Sequence, residues 1–164
     1  MLRLNTETLF SMQKQLDAHI ETEHGLANED TREQRLLALQ VELGELANET
    51  RCFKFWSVKP PSEKEVILEE YVDGVHFILS LGLSFGYRPE ESNSVELNER
   101  LTDGFLDMFD SLSAFRHQPD QARYSDMFFT YLALGERLGF TAEEIQDAYE
   151  SKNQTNHERQ EQGY

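Results

Sequence analysis

The sequence predicts an all-α fold, a bundle of about six helices formed by a single domain over residues 1–164. Apolar residues recur at three- and four-residue steps through nearly the whole chain, and no stretch shows a convincing strand-like alternation of apolar and polar residues. Capping residues, prolines and glycines divide the chain into segments of helical length. A chain of 164 residues suits one domain, and folding would bury about two-thirds of the surface that the unfolded chain exposes.

The first two helices are separated by a polar segment around Gly25. The first is predicted to begin near Asn5 or Thr6, and Asp30 with Glu33 has the spacing of a capping box for the second. In each helix the apolar residues fall on one face. They are Leu9, Met12, Leu16 and Ile20 in the first helix, and Leu36, Leu39, Leu43 and Leu46 in the second.

The third helix follows two consecutive prolines, which cannot continue a helix. Ser62 and Glu65 have the spacing of a capping box for its start, and Gly86 is the expected stop. Residues 75–83 are almost wholly apolar. We therefore expect this helix to be central and buried on most sides.

Three more helices complete the predicted bundle. The fourth is expected over residues 94–115, after a polar turn. A fifth follows Pro119 and ends near Leu138, where Gly139 supplies the cap. Thr141 with Glu144 forms a further capping-box pattern, which opens the sixth helix.

The charge and the cysteine content exclude several classes of protein. Thirty-one Asp and Glu against 15 Lys and Arg give a formal charge of −16, which disfavours non-specific binding to nucleic acid or to anionic membranes. Cys52 is alone, so an internal disulfide framework or a Cys-based zinc site is excluded. The N-terminus is too polar for a signal peptide, and no run of about 18 apolar residues is present. We expect a cytoplasmic protein.

Two pairs of acidic residues are candidate metal ligands. Glu42 and Glu45 are three residues apart, as are Glu70 and Asp73, so each pair lies on one helix face. If the second and third helices pack antiparallel through their apolar stripes, the four carboxylates converge, and divalent cations would relieve their repulsion. Oxygen ligands suit Mg²⁺, with Mn²⁺ as a possible substitute. Spacing alone leaves open that these acids are solvated surface residues.

Three residues near the C-terminus form a second candidate site. Lys152, Asn156 and Arg159 are spaced to lie on one face of a helix. A lysine, an amide and a guanidinium in line could hold phosphate oxygens. The alternative is a frayed polar tail, which is common at chain ends.

The segments ELGELANETRCFKFW and LEEYVDGVHFILSLGLSFGY resemble the dimeric, all-α dUTP pyrophosphatase family, which belongs with the MazG-like nucleoside triphosphate pyrophosphohydrolases. The signature of that family is E-x-x-E, a spacer, and E-x-x-D on the next helix. MQKQLD in the first helix, F-K-x-W after the first acidic pair and the closing KNQTNHERQ also resemble family segments. The resemblance is strongest over residues 8–87 and 149–164.

The resemblance implies a metal site and a set of substrate contacts. Glu42, Glu45, Glu70 and Asp73 would bind Mg²⁺, and Glu45 would also act as the base that orients the attacking water. Gln13 and Asp17 would contact the uracil base or the deoxyribose. The other substrate-binding residues implied are Lys54, Trp56, Phe77, Lys152, Asn156 and Arg159. Trp56 could instead be a dimer contact, and Phe77 could be a core residue. His76 is expected to be structural, or to contact the site residues without binding the metal itself.

The function implied is Mg²⁺-dependent hydrolysis of dUTP to dUMP and pyrophosphate by a homodimer, which keeps uracil out of DNA. One alternative is a broader MazG-like enzyme that cleaves other nucleoside triphosphates. Another is a non-enzymatic helical dimer whose acids only solvate its surface.

Overall fold

A computed structural model describes residues 2–91, 95–96 and 99–164 of the chain. Within this part the fold is all-α, with six helices and no strand, so the predicted fold class is confirmed. The helices are α1 (Thr6–Glu23), α2 (Arg32–Thr50), α3 (Lys64–Phe85), α4 (Leu101–His117), α5 (Gln121–Arg137) and α6 (Ala142–Glu161). None of these helices has both the length and the apolar composition needed to cross a bilayer.

Several predicted helix ends are confirmed. Asn5 caps α1, its side chain accepting a hydrogen bond from the Thr8 backbone at 3.3 Å. Thr141 and Glu144 form a complete capping box at the start of α6, with both hydrogen bonds at 3.1 Å. Gly86 ends α3 in the left-handed conformation, with φ of 81°.

The capping boxes predicted for α2 and α3 are wrong. The Asp30 carboxylate binds the backbone and the guanidinium of Arg32, so it does not cap the following turn, and Thr31 is the N-cap residue. The Ser62 hydroxyl donates to the Glu49 carboxylate, and α3 begins after Glu63. In both cases a hydrogen bond to a charged side chain, which is stronger than a neutral one, competes with the cap.

The predicted start of the fourth helix is also wrong. The helix begins at Leu101, and Val95 and Glu96 are not helical. Ser94, the start that the sequence suggested, lies outside the described residues.

Helix α3 is the centre of the bundle, as its apolar composition predicts. It contacts α1, α2, α5 and α6, while α4 packs mainly against α5. The α2 stripe is buried in the same core, with Leu39, Leu43 and Leu46 fully inaccessible to solvent. The acidic pairs of α2 and α3 therefore lie at the edge of a closely packed helix pair.

Two tyrosines join α3 to α5 by reciprocal hydrogen bonds. Tyr71 donates its hydroxyl to the Tyr131 carbonyl at 2.9 Å, and Tyr131 donates to the Tyr71 carbonyl at 2.6 Å. The rings stack with centroids 4.5 Å apart. A Cβ at Gly74 would lie 2.1 Å from the Tyr131 hydroxyl oxygen, so only glycine fits there. This contact fixes the part of α3 that carries Asp73.

Candidate active site

Carboxylates from α2 and α3 converge at the edge of the core. We call Glu42, Glu45, Glu70 and Asp73 the acidic cluster. Glu42, Glu45 and Glu70 each offer an oxygen, and these atoms lie within 4.8 Å of one another. Asp73, one turn after Glu70, lies 3.3 Å from the Lys152 ammonium. The packing of α2 on α3 therefore brings Glu42, Glu45 and Glu70 together, while Asp73 pairs with Lys152.

The acidic cluster is electrostatically strained. Burial, then the charges of Asp73 and the neighbouring glutamates, raises the pKa of Glu42 from 4.5 to about 8. Burial and the charge of Asp73 likewise raise the pKa of Glu70 from 4.5 to about 7. Burial also raises the pKa of Asp73, although Lys152 partly offsets that rise.

The acidic cluster fits a divalent cation. Among the described residues, Glu42 Oε2 and Glu70 Oε2 are buried without a hydrogen-bond partner. Buried polar atoms are usually paired, so each unpaired one calls for an explanation. A hard cation would pair both oxygens and reduce the repulsion, and the all-oxygen donor set suits Mg²⁺ or Mn²⁺.

A cavity of about 240 Å³ adjoins the acidic cluster. Helices α1, α2, α3 and α6 all contribute to its wall. Eight residues predicted for the site line it, namely Gln13, Asp17, Glu42, Asp73, Phe77, Lys152, Asn156 and Arg159. A larger cavity of about 400 Å³ between α4 and α5 contains none of the predicted residues. The charged and polar residues of its wall, and not its volume, therefore identify the smaller cavity as the candidate site.

The α1 side of this cavity is a buried hydrogen-bond network. Gln13 donates from Nε2 to Asp17 Oδ1 at 2.9 Å. Its Oε1 lies 2.7 Å from His76 Nδ1 and accepts from the Tyr149 hydroxyl at 2.8 Å. Ser80 donates to the other oxygen of Asp17 at 2.9 Å. These contacts hold the Gln13 amide and the Asp17 carboxylate in fixed orientations.

Arg35 supports Asp17 from α2. Its guanidinium lies 3.6 Å from Asp17 Oδ2 and binds Glu21 at 2.9 Å. Burial raises the pKa of Asp17, while the hydrogen bond from Gln13 and the charge of Arg35 act against that rise. Sequence reasoning missed Arg35, Ser80 and Tyr149. Arg35 precedes Glu42 by seven residues, so its position on the same face of α2 was a usable signal.

The polar face of α6 forms another part of the cavity wall. The helix continues to Glu161, so Lys152, Asn156 and Arg159 belong to an ordered element and not to a frayed tail. Lys152 Nζ lies 2.9 Å from Glu69 Oε1 in addition to its contact with Asp73. A cationic face thus borders the same cavity as the acidic cluster.

Four of the predicted residues do not line the cavity, namely Glu45 and Glu70 of the acidic cluster, and Lys54 and Trp56. Lys54 and Trp56 are in the segment between α2 and α3, and neither lines the cavity. Trp56 is 65% exposed, next to Phe55 at 93%. The Trp56 ring contacts the edges of Phe53 and Phe55. The substrate roles of Lys54 and Trp56 stay predictions.

The sequence was also compared with known protein families. The sequence matches the profile of a family described as dUTPase over residues 5–164. The match spans all six described helices and every residue discussed in the site. No curated protein sequence matches the chain significantly.

Proposed function

The chain belongs to the all-α dUTPase family, and from this premise we propose that it hydrolyses dUTP to dUMP and pyrophosphate with Mg²⁺ at the acidic cluster. Family membership makes the chain an enzyme, a dUTP diphosphatase, and implies a divalent metal cofactor. Family membership therefore argues against the alternative of a non-enzymatic helical dimer. The choice of Mg²⁺, the products and the residue roles are our proposal for residues 1–164 acting as one domain.

One observation carries the proposal. Glu42, whose Oε2 is buried and unpaired, and Asp73 line a cavity that the cationic face of α6 also lines. A nucleoside triphosphate is strongly anionic, and this chain has a net charge of −16. Cations at the acidic cluster and at α6 would therefore be needed to hold the phosphates.

The residues around the phosphates have distinct proposed roles. When bound, the metal would polarise the phosphate and lower the pKa of a water molecule at the site. Glu45 is the exposed member of the acidic cluster, so water can reach its carboxylate, which would accept the proton of the attacking water. Lys152 and Arg159 would neutralise charge that develops on the transferred group. Asn156 would donate a hydrogen bond to a phosphate oxygen.

The base would occupy the α1 side of the cavity. Phe77 follows Asp73 by one turn and lines the cavity, so its ring can stack on a base. Gln13 and Asp17 offer polar groups that the buried network holds in place. A fixed polar group rejects a base with the wrong donors, because an unpaired buried group costs about 1–3 kcal/mol.

We also propose a homodimer that covers the exposed residues between α2 and α3. Phe55, Trp56 and Val58 are solvent-exposed in the single chain, as are Leu37 and Val41 on α2. Apolar residues grouped in this way are typical of an interface. If a second copy covered these residues, the side chains of Lys54 and Trp56 would contact protein. Light scattering should give twice the chain mass of 19.1 kDa, and a mass of one chain would contradict the dimer.

Pyrophosphate release tests the reaction and its substrate range. We expect release from dUTP that requires Mg²⁺ and is much slower with dCTP, dTTP and dATP. Glu45→Gln should reduce the rate by about 10²–10⁴-fold, the usual contribution of a general base. Glu33→Gln is the matched control, since Glu33 is an exposed glutamate at the far end of the same helix. Comparable rates with all four nucleotides would favour the broader MazG-like enzyme.

A further inference from the structure

The second half of α6 has no apolar face. Residues 150–161 contain no apolar side chain, whereas the first half of the helix buries Ile145 and Tyr149. Asn156 and Arg159, which line the cavity beside the acidic cluster, both belong to this second half. Because packing of an apolar face provides most of the stability of a helix in a protein, these residues need polar contacts to keep their place.

Two histidines of α1 supply such contacts. His19 Nδ1 lies 2.8 Å from His157 Nδ1, and His24 Nε2 lies 3.0 Å from Gln160 Oε1. In the part of the chain that the structure describes, these are the two hydrogen bonds that join side chains of α6 beyond Asn153 to another helix. The position of the second half of α6 therefore depends on imidazole nitrogens.

We call His19 and His157 the histidine pair, and its geometry is that of a shared proton. The ring centroids are 5.1 Å apart, much further than the two Nδ1 atoms, so the rings meet at their Nδ1 edges. A hydrogen bond between two ring nitrogens requires one N–H and one lone pair. One Nδ1 of the pair therefore carries a hydrogen, and the other accepts it.

The histidine pair tolerates one added proton but not two. With one, the charged ring donates from Nδ1 to the neutral ring, and a charged donor strengthens the hydrogen bond. With two, both Nδ1 atoms carry a hydrogen, no lone pair remains between them, and two positive charges face each other. Histidine ordinarily changes its charge between about pH 5 and pH 8, so mild acid supplies these protons.

The surrounding charges do not replace this contact. The Glu23 carboxylate lies 4.0 Å from His19 Nε2, on the far side of that ring from the histidine pair contact. At 2.8 Å no other atom fits between the two Nδ1 atoms, so the contact depends on the protons of the pair itself. The next titratable or charged groups on the packed helices are Asp17 of α1, Arg35 of α2, His76 of α3, and Glu158 and Arg159 of α6.

The second contact does not share this sensitivity to acid. The Gln160 amide oxygen can only accept, so His24 Nε2 carries the hydrogen, and it does so in both the neutral and the charged ring. The end of α6 therefore stays attached to α1 when the histidine pair separates. The loss is confined to the turn that carries Asn156 and Arg159.

We infer that His19 and His157 are positioning residues for the polar face of α6. With no more than one added proton the pair holds Asn156 and Arg159 at the cavity, and a second proton releases them. The release of the helix follows from the contacts alone. Its effect on phosphate binding rests on the proposed function.

Amide hydrogen exchange of the whole protein tests the release without any substrate. Between about pH 7.5 and about pH 5, the protection of amides 154–161, relative to the intrinsic rate at each pH, should fall about 3–10-fold, the value of one hydrogen bond. Amides of the first half of α6 should not change. Equal protection of residues 154–161 at both pH values would overturn the inference. So would ring ¹⁵N spectra at neutral pH in which neither Nδ1 of the pair carries a hydrogen.

A pair of amides separates the protons from the contact. His19→Gln combined with His157→Gln can still form a side-chain hydrogen bond, but neither group takes up a proton in this range. This variant should keep its protection at about pH 5. A loss as large as that of the wild type would overturn the inference, because acid would then act elsewhere. His117→Gln, at an exposed histidine on α4, is the matched control and should behave as the wild type.

Kinetics test the effect on phosphate binding. From about pH 7.5 to about pH 5, the KM of the wild type for dUTP should rise about 3–10-fold more than that of the double variant, while kcat changes equally in both. Equal changes in KM would overturn the positioning role. Exchange that depends on pH as expected, in a protein that releases no pyrophosphate, would support the release of α6 and contradict the proposed function.

Discussion

Glu42→Gln should stabilise the metal-free protein at pH 8. The pKa of Glu42 is about 8 in the folded chain, against 4.5 in the absence of the fold, because burial and the neighbouring acids oppose its charge. The folded state therefore holds this proton more tightly than the unfolded state. The stability that the protonated group provides is complete below pH 4.5 and is lost as the pH rises through 8. Glutamine keeps the shape of the protonated group and cannot ionise.

The size of the effect follows from the change in pKa. Each unit of change in pKa corresponds to about 1.4 kcal/mol, so the whole change in the pKa of Glu42 sets an upper bound of about 5 kcal/mol on the stability gained. Glu42 is only half-buried, so solvent screens the charge, and its neighbours can take up protons in its place. We expect a gain of about 1–2 kcal/mol in the free energy of unfolding. In a chain of this length that raises the midpoint of thermal unfolding by about 2–8 °C.

Urea unfolding followed by circular dichroism, with EDTA present, measures this gain. The difference between variant and wild type should shrink at about pH 5, where folded Glu42 is already protonated. Excess Mg²⁺ should stabilise the wild type more than the variant, because the variant has lost a ligand. Glu150→Gln, at an exposed glutamate on α6, should change little at either pH. A Glu42→Gln protein destabilised equally at both pH values would refute the reasoning, since the carboxylate would then not be strained.

Two further substitutions test the packing and the α6 wall. Gly74→Ala should cost about 1–3 kcal/mol in urea unfolding, because its Cβ would meet the Tyr131 hydroxyl oxygen at 2.1 Å. Gly104→Ala, whose Cβ would lie 3.3 Å from a flexible Leu134 methyl carbon, should cost much less, so similar responses would contradict the packing. Lys152→Gln should lower kcat/KM for dUTP by about 10–100-fold, the value of a charged hydrogen bond. Lys64→Gln breaks only the exposed Glu144 pair, and an equal loss there would argue against a phosphate contact for Lys152.

The helices were predictable because their signals are local. The Thr141–Glu144 capping box and the Gly86 stop involve neighbouring residues, and both are present. The predicted caps at Asp30 and Ser62 failed for a different reason. Asp30 and Ser62 hydrogen-bond instead to the charged side chains of Arg32 and Glu49, and a rule based on spacing does not include such competing partners.

The acidic cluster was only partly predictable. The spacing within each pair placed Glu42 with Glu45, and Glu70 with Asp73, on helix faces beside apolar stripes. With antiparallel packing assumed, that pattern predicts that the four carboxylates converge, and Glu42, Glu45 and Glu70 do lie together across α2 and α3. Repulsion between converging carboxylates predicts raised pKa values, but the larger cause of the rise at Glu42 and Glu70 is burial, which residue spacing does not give.

The sequence by itself determined the helices, the two acidic pairs, the polar face of α6 and the family, because each of these is a pattern of nearby residues. Tertiary structure alone decided the partners of those residues. Gln13 meets His76 and Tyr149 across separations of 63 and 136 residues, and only this packing leaves His76 Nε2 buried and unpaired. Hydrogen bonding and desolvation depend on distances in space, which residue spacing along the chain does not specify.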